Sequence, residues 1–356
     1  ALFVLRVILA DVLPSNADRN VRLHAHYLVP NPALFSSDSP IPLILVNANQ
    51  RPSVAILMGT YNGAQFISEQ LHSIVNQSHT HWSLVVSDDG STDQTPQILA
   101  GYQAELGQQK LRVQRGPSAG FSRNFLSLVC AQDIQADYYA FCDQDDIWEV
   151  DKLSQALEWL ETVPPELPAL YGARTRLIDA NNQEIGQSPL FTKPPSFGNA
   201  LVQNIAGGNT MVFNNAAREL LRIAGPDLDV PSHDWWAYLA VTACGGSVYY
   251  DARPTVRYRQ HGGNIVGMNA GLRPKLKRIG MLLNGRFKDF TERNLQALSK
   301  LAHLIPPEKQ ATLVALIAMR MLPFPRWFPS YLRHDLRRQT LTGTTALILA
   351  ALLKKI

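Results

Sequence analysis

The sequence predicts an α/β fold with a mainly parallel central sheet and helices on both of its faces. Short apolar runs of strand length alternate with segments whose apolar residues recur at helical spacing, which is typical of βαβ units. The strand-like runs are almost continuously apolar, as expected for strands covered on both sides. With 356 residues, of which 46% are hydrophobic and 17% charged, the chain can bury a full core and is not disordered by composition.

The elements can be placed in order from residue 53. The predicted strands are 53–58, 82–87, 111–115, 138–142, 211–213 and 255–258. The predicted helices of the same region are 66–75, 98–106, 121–129, 148–160 and 235–244. Because strand and helix alternate through residue 160, we expect helical crossovers between parallel strands. Ligands of such sheets bind at the carboxyl ends of the strands.

We divide the chain into three parts: an extension at 1–52 of no predicted role, an α/β domain at 53–272, and a basic helical region at 273–356. The basic region carries 16 Lys and Arg against 4 Asp and Glu, whereas the first 272 residues carry 17 against 25. Its last apolar run, 341–353, is shorter than the roughly 20 residues that cross a bilayer. Either a membrane-surface anchor or a packed appendage with a solvated basic face fits this pattern.

The cysteine count favours a reducing compartment. Cys130, Cys142 and Cys244 are too few and too scattered for a disulfide framework or a zinc site. The apolar start of the chain lacks a basic segment and a small-residue cleavage site, so we do not predict a signal peptide. We therefore expect a cytoplasmic protein, or one held peripherally on the inner face of the cell membrane. Nucleic-acid binding is not favoured, because the basic region lacks interleaved aromatic platforms.

Three of the first four strands run directly into clusters of short polar side chains. These clusters are residues 59–63 (GTYNG), 88–93 (DDGSTD) and 143–146 (DQDD). The predicted topology gathers the strand ends along one edge of the sheet, so one shared site is expected. For residues 88–93 alone, a capped helix start explains the pattern equally well.

The cluster 143–146 indicates a cation site. Asp143, Asp145 and Asp146 repel one another, and a fold that presents them together needs positive charge nearby. Because the cluster itself holds neither His nor Cys, Mg²⁺ or Mn²⁺ is the fitting ion. In an extended segment Asp143 and Asp145 point to the same side, so they are the predicted cation ligands. The alternative is a solvated turn that caps the following helix.

Four motifs in this order resemble those of family 2 glycosyltransferases, which have the GT-A (nucleotide-diphospho-sugar transferase) fold. They are 60–62 (TYN), 87–93 (SDDGSTD), 120–124 (GFSRN) and 143–148 (DQDDIW). The likeness spans residues 53–267. The sequences of the motifs 143–148 and 258–264 (YRQHGGN) most resemble those of a rhamnosyltransferase-like subgroup. The resemblance makes 53–272 the expected catalytic domain.

The resemblance implies a role for each matching residue. It places Thr60, Tyr61 and Asn62 around the base of a nucleoside diphosphate sugar. Asp89, or otherwise Asp88, would bond the base. Residues near the nucleotide would be Arg123 and Asn124. Asp143 would contact ribose or metal, and Asp145 would hold the divalent ion.

The resemblance also places functional residues downstream. Asp234 occupies the position of the catalytic base, although a helix N-cap is its alternative. Gly208 would let the backbone approach a ligand, or would serve a tight turn. His261 would contact metal or phosphate, or would be an exposed loop residue. We further expect one of Trp235 and Trp236 to stack on a sugar, and Arg257 and Arg259 to form a cationic strand face for a diphosphate or acceptor phosphate.

The implied activity is inverting, metal-dependent transfer of a sugar such as L-rhamnose. The donor would be a dTDP- or UDP-sugar, and the acceptor a glycan or lipid-linked glycan of a surface polysaccharide. Two alternatives stay open. A sugar-phosphate nucleotidyltransferase would need a basic, glycine-rich loop after the first strand, and residues 59–63 hold no basic residue. A non-catalytic nucleotide-sugar or glycan binding module needs no catalytic base.

Overall fold

The computed structural model describes residues 51–262 and 285–356, and from Pro52 onward they belong to one compact unit. The expected extension lies outside the described residues apart from its last two. The predicted boundary at residue 272 also lies outside them, as do residues 263–267 of the family-like segment. Both boundaries therefore remain predictions.

The described residues contain one mixed sheet. Its strands are β1 (Val54–Thr60), β2 (Trp82–Asp88), β3 (Leu111–Arg115), β4 (Tyr138–Cys142), β5 (Ile147–Trp148), β6 (Ala169–Ile178), β7 (Glu184–Gln187), β8 (Val212–Asn214) and β9 (Ser247–Arg259). They follow the order β3-β2-β1-β4-β8-β6-β9-β5, and β7 pairs with β6. The neighbours β3, β2, β1 and β4 are parallel, as are β6 and β9, whereas β8, β5 and β7 pair antiparallel. The predicted α/β fold is confirmed, and four of the eight strand pairs among the described residues are parallel.

Helices join and flank these strands. They are α1 (Ile67–Val75), α2 (Thr95–Leu106), α3 (Phe121–Cys130), α4 (Lys152–Leu160), α5 (Phe197–Ala200), α6 (Asn215–Ala224), α7 (His233–Ala243), α8 (Arg286–Leu298), α9 (Pro307–Met321), α10 (Phe328–Arg333) and α11 (Leu341–Leu352). Short 3₁₀ helices cover Gly208–Thr210 and Ser299–Leu304. None of the helices in the described part of the chain combines the length and apolar character that a membrane span needs.

The sheet carries helices on both faces, because alternate residues of its central strands point to opposite sides. Val54, Ile56 and Met58 of β1 belong to the core that β1 shares with α1, α2 and α4. On the other face, Phe141 of β4 packs edge-on against Phe125 of α3, with ring centroids 5.5 Å apart. Burial on both sides explains why these strands are apolar along their whole length.

Several elements differ from the sequence-based expectation, and β7, α5 and α6 are among those that were not predicted. The helix predicted at 148–160 begins at Lys152, because Ile147 and Trp148 form the short strand β5 against β9. Strand β6 was not predicted. Its apolar pattern is interrupted by Arg174 and Arg176, whose side chains bond the carbonyl of Ser188 and approach Glu149.

The topology brings the polar clusters together. Thr60 at the end of β1 pairs with Asp88 at the end of β2, and Met58 pairs with Cys142 at the end of β4. The residues that follow these strands therefore leave the sheet side by side, at its carboxyl edge.

The C-terminal helices pack against the α/β region. Ser196, which caps α5, donates to Asp335 at 2.6 Å, and Asn199 Nδ2 donates to the carbonyl of Arg337 at 2.9 Å. A Cβ on Gly198 would lie 2.0 Å from the carbonyl oxygen of Asp335, so this contact requires glycine.

Candidate active site

The loops after β1 and β2 are bonded to each other through Asn62. Its backbone N–H donates to Ser91 Oγ at 2.8 Å, and its Oδ1 accepts from the Thr92 N–H at 2.8 Å. Asn62 has a φ of 48°, a left-handed conformation that asparagine tolerates better than most residues. Asn62 thus joins two of the predicted donor-binding loops.

The loops after β1 and β4 are bonded through Gln144. Its Oε1 accepts from Thr60 Oγ1 at 2.5 Å and from the Tyr61 N–H at 2.9 Å, and its Nε2 donates to the Tyr61 carbonyl at 3.0 Å. A Cβ on Gly63 would lie 2.3 Å from Gln144 Oε1, so a side chain at position 63 would displace the Gln144 amide from these bonds. Tyr61 keeps its ring 57% exposed beside this junction.

The aspartates of the loop after β4 differ in burial. Asp146 is fully buried, whereas Asp143 and Asp145 are only partly buried. Burial, together with the charges of Asp145 and Asp234, raises the pKa of Asp143 to about 8. The charges of Asp145 and Asp234 therefore both act on the Asp143 carboxyl group, which is the electrostatic situation that a bound cation relieves.

His261 lies beside this cluster. One of its ring nitrogens, Nε2, is 2.7 Å from Asp145 Oδ2, and its ring centroid is 4.9 Å from that of Phe66. No set of three or more His, Cys, Asp or Glu side chains within the described ranges forms a ready-made metal cage. Mg²⁺ commonly binds through one or two carboxylates, waters and substrate phosphates. The oxygen donors and excess negative charge of Asp143 and Asp145 fit such a site.

Asp234 lies in the first turn of α7, one position past the start of that helix. Ser232 occupies the N-cap position. The Oδ2 atom of Asp234 accepts from Asn204 Nδ2 at 2.9 Å and from the Gly208 N–H at 3.1 Å. These donors come from outside α7, so they orient the carboxylate toward a neighbouring segment. Gly208 closely approaches His233, because a Cβ on Gly208 would lie 2.5 Å from His233 Nε2.

Asp88 and Asp89 occupy the end of β2. Asp89 accepts backbone N–H groups of Ser118 at 2.6 Å and Gly120 at 3.1 Å, next to the start of α3. Asp88 accepts from Ser91 Oγ at 2.5 Å. A cavity of about 400 Å³ opens here, and it is lined by Asp88, Gly90, Ser91, Val113, Gln114 and Arg115.

The remaining nucleotide candidates lie on α3. Arg123 is exposed. Asn124 is buried, and its Nδ2 donates to the Ser87 carbonyl at 2.9 Å. In this conformation Asn124 supports β2, and its place beside a nucleotide stays a prediction.

Two expectations about aromatic and cationic residues are wrong. Trp235 and Trp236 are 8% and 0% exposed, so both belong to the core and neither presents a face to a sugar. Arg259 is also fully buried, and its side chain bonds the Asp145 carbonyl at 2.9 Å and Glu69 Oε2 at 2.9 Å. It supports the acidic loop from inside the protein, and Arg257 pairs with Glu149 instead of forming an open cationic face.

Several site residues were not found from the sequence. Gln144, Asp146, Asn204 and Asn209 act through bonds between segments that are far apart in the chain. Gln144 and Asp146 stand inside the acidic motif, which was the available signal. Asn204 carries no comparable local signal, because its role depends on where α7 packs.

The fold has counterparts among solved structures. Residues 1–349 of S. aureus TarS, crystallised with UDP-GlcNAc, superpose with a TM-score of 0.50 at 16% sequence identity, over 85% of this chain and 90% of that one. This likeness shows that the chain has the fold of GT-A-type proteins.

Sequence comparisons identify the family. The model of glycosyl transferase family 2 matches residues 55–221. A dTDP-rhamnosyl transferase of Shigella flexneri, RfbG, is 31% identical over 255 residues, which are 68% of this chain and 84% of that protein. The chain belongs to glycosyltransferase family 2 and is rhamnosyltransferase-like. Family membership supports a glycosyltransferase over the nucleotidyltransferase and binding-module alternatives.

Proposed function

We propose that this protein transfers a sugar, L-rhamnose in our assignment, from a nucleoside diphosphate donor to a surface-polysaccharide glycan, with inversion at the anomeric carbon. The observation that carries the proposal is that Asp143, which follows the carboxyl end of β4, is close enough to both Asp145 and Asp234 for their charges to act on its carboxyl group. An inverting transfer needs both a site for the leaving diphosphate and a base for the acceptor, and this edge offers carboxylates for each.

Asp234 is the proposed general base. Its carboxylate takes the proton of the acceptor hydroxyl while that oxygen attacks the anomeric carbon from the face opposite the diphosphate. The bonds from Asn204 and Gly208 fix Oδ2, so the carboxylate is oriented before the acceptor arrives. The Oδ1 atom accepts from the Trp235 N–H at 2.7 Å, which restricts rotation of the group.

Asp143 and Asp145 are the proposed cation ligands, with His261 beside them. A bound Mg²⁺ or Mn²⁺ would supply positive charge against the diphosphate oxygens. Arg259 holds the backbone of this loop through the Asp145 carbonyl, so Asp145 is presented from a rigid support. The proposed cation requirement rests on these oxygen donors and on the burial and neighbouring carboxylates that raise the pKa of Asp143.

The donor is proposed to lie over the loops after β1 and β2. Tyr61 offers an exposed ring for the base, and the cavity beside Asp88 has polar and backbone groups that could receive the nucleoside. Thr60 ends β1, Asn62 and Asp89 belong to these loops, and Arg123 lies on α3. Assignment of dTDP-L-rhamnose is supported by the likeness to RfbG, whose name records a dTDP-rhamnosyl transferase.

The acceptor is proposed to be lipid-linked, which would place the enzyme at a membrane surface. A surface formed by Met321, Leu322, Phe324, Leu352 and Leu353 exposes apolar side chains in the C-terminal helices. Lys354 Nζ donates to the Leu322 carbonyl and so joins the two stretches. With Lys354 and the exposed Arg326, this C-terminal surface combines the apolar and cationic groups that bind anionic bilayers.

A donor panel tests the proposal. Purified protein is incubated with membrane extract, with dTDP- and UDP-sugars in turn, and with Mg²⁺, Mn²⁺ or a chelator, while nucleotide release and glycan labelling are measured. We expect dTDP-L-rhamnose to be the preferred donor and the chelator to abolish transfer until excess cation is added. Asp145→Asn should lose transfer, whereas Asp133→Asn, an exposed aspartate of a surface pair, should not. Transfer that persists undiminished in chelator would contradict the cation requirement.

A further inference from the structure

Asp146 does not open onto the cleft, although it lies next to a proposed cation ligand. Its side chain is 0% exposed. Oδ2 accepts from Asn209 Nδ2 at 2.5 Å, and Oδ1 accepts from the Arg259 N–H at 3.0 Å. A buried carboxylate with two dedicated donors fixes the segment that carries it. Asp146 therefore fastens the acidic loop to the turn that contains Asn209.

The same turn also reaches Asp234. It is the 3₁₀ turn Gly208–Thr210, and the Gly208 N–H donates to Asp234 Oδ2 at 3.1 Å. Adjacent residues of one turn thus hold two carboxylate groups: Asn209 holds Asp146, and Gly208 holds Asp234.

The turn itself is confined. Thr210 Oγ1 donates to the Gly207 carbonyl at 2.9 Å and accepts from the Ala173 N–H of β6 at 3.1 Å. On its other side, Gly208 abuts His233, whose ring stacks on Phe125 with centroids 3.9 Å apart. The turn cannot move toward α7 without displacing that stack. A shift at the Asn209–Asp146 bond is therefore expected to shift the Gly208–Asp234 bond as well.

We infer that Asn209 is a positioning residue for transfer, because its bridge to Asp146 sets where the Gly208 N–H holds Asp234 relative to the acidic loop. This inference rests on the proposed role of Asp234 as base. Transfer needs the base and the leaving diphosphate at a fixed separation, and a displacement of about 1 Å can cost about a hundredfold in rate. The alternative role of Asn209 is to satisfy a buried carboxylate, which would affect stability alone.

The test compares three variants by kcat, by donor KM and by the free energy of unfolding. Asn209→Leu removes the hydrogen bond to Asp146. Asn209→Asp places a second carboxylate beside that of Asp146, and the two repel each other. The double variant Asp146→Asn/Asn209→Asp restores a bridge of reversed polarity. In it, the amide oxygen at position 146 accepts from the Arg259 N–H, and the amide nitrogen donates to the carboxylate at position 209.

We expect Asn209→Leu and Asn209→Asp to lower kcat by about ten- to a hundredfold, with donor KM changed by less than about threefold. The double variant should recover most of the kcat lost by Asn209→Asp. The matched control is Asn214→Leu. Asn214 is another buried asparagine, and it lies in β8 opposite Tyr138, at the end of β4 away from the acidic loop. It should lower stability without a comparable loss of kcat.

Two results would overturn the inference: parent-like kcat in Asn209→Leu, or a double variant no more active than Asn209→Asp. Failure of the proposed function is a separate result. It would appear as parent-like transfer by Asp234→Asn, or as absence of transfer by the parent, whatever the Asn209 variants do.

Discussion

Lys152 carries its amine in the interior, close to the buried end of the acidic loop. Its side chain is 0% exposed, and Nζ lies 3.7 Å from the centre of the Trp148 ring with no hydrogen-bond partner among the described residues. Burial lowers the pKa of this amine from 10.5 to about 7, and the charges of Cys142 and Asp146 oppose the change. The charged amine is therefore costly to the folded state.

We predict that Lys152→Met removes a pH dependence of stability. Between pH 7 and 10.5 the unfolded chain binds this proton more readily than the folded protein, so the stability of the parent rises with pH across that window. The advantage of the variant in unfolding free energy should grow as pH falls, by up to about 1.4 kcal/mol per pH unit, and level off below pH 7.

Urea unfolding from pH 6 to 10 measures this difference. Lys288→Met, which changes the same atoms on an exposed part of α8, is the matched control and should show no such trend. A difference between Lys152→Met and the parent that stays constant over the whole range would contradict the interpretation.

At the residue scale, sequence reasoning located the carboxylates but not their supports. Asp143, Asp145 and Asp234 are recognisable because they match family motifs. Arg259 was expected to face a ligand, since arginine is rarely buried. Its burial becomes possible only when α1 and the acidic loop, which are far from β9 in the chain, supply acceptors for its guanidinium.

At the scale of elements, the site depends on loops that are bonded to one another. Gln144 ties the loop after β4 to Thr60 and Tyr61, and Asn62 ties the loop after β1 to residues 91 and 92. Because the loops after β1, β2 and β4 are joined, a donor that contacts one of them meets all three in fixed positions. Such preorganisation lowers the entropic cost of binding.

We predict that Gln144→Glu weakens donor binding by about tenfold or more. The substitution replaces the donor Nε2 with an acceptor that faces the Tyr61 carbonyl, and it adds charge to a loop already rich in carboxylates. Calorimetric titration with the nucleoside diphosphate gives the Kd. Gln132→Glu, on an exposed loop, should bind the donor as the parent does. If Gln144→Glu bound the donor with the affinity of the parent, the bonds of Gln144 between these loops would not be needed for binding.

The elements of the first half could be predicted because their signals are local. β1, β2 and β4 have largely apolar runs, β3 alternates apolar and polar residues, and α1 to α3 have helical spacing, with turn residues between these elements. β6 could not be predicted from its own residues, since Arg174 and Arg176 find partners only after β7 and β5 are placed. β5 is too short to carry a pattern, and it exists because β9 pairs with it.

At the scale of the whole molecule, the fold class, the family and one shared site could be predicted, because the order of motifs fixes which strand ends meet. The packing of the basic region could not, since it depends on contacts such as Asn199 with the Arg337 carbonyl, which join residues 138 positions apart. The charge of that region was visible in the sequence, whereas the C-terminal surface required the pairing of α9 with the end of α11.

We predict that the C-terminal surface binds anionic bilayers. Wild-type protein should sediment with vesicles that contain phosphatidylglycerol and not with pure phosphatidylcholine vesicles, and added salt should weaken binding because screening shortens the reach of Arg326 and Lys354. Leu322→Glu/Phe324→Glu should reduce sedimentation at least about tenfold. The control Ile185→Glu/Ile223→Glu alters two exposed residues elsewhere and should not. Unchanged sedimentation of the first variant would exclude this surface.

The most direct measurement of the central claim is transfer by Asp234→Asn beside donor binding by the same variant. The substitution keeps the shape of the side chain but removes its capacity to take a proton. The account predicts that transfer falls by about 10² to 10⁴ while the donor Kd stays within about threefold. Asp227→Asn, an exposed aspartate near the start of α7, should transfer like the parent. Transfer by Asp234→Asn within about threefold of the parent would contradict the account.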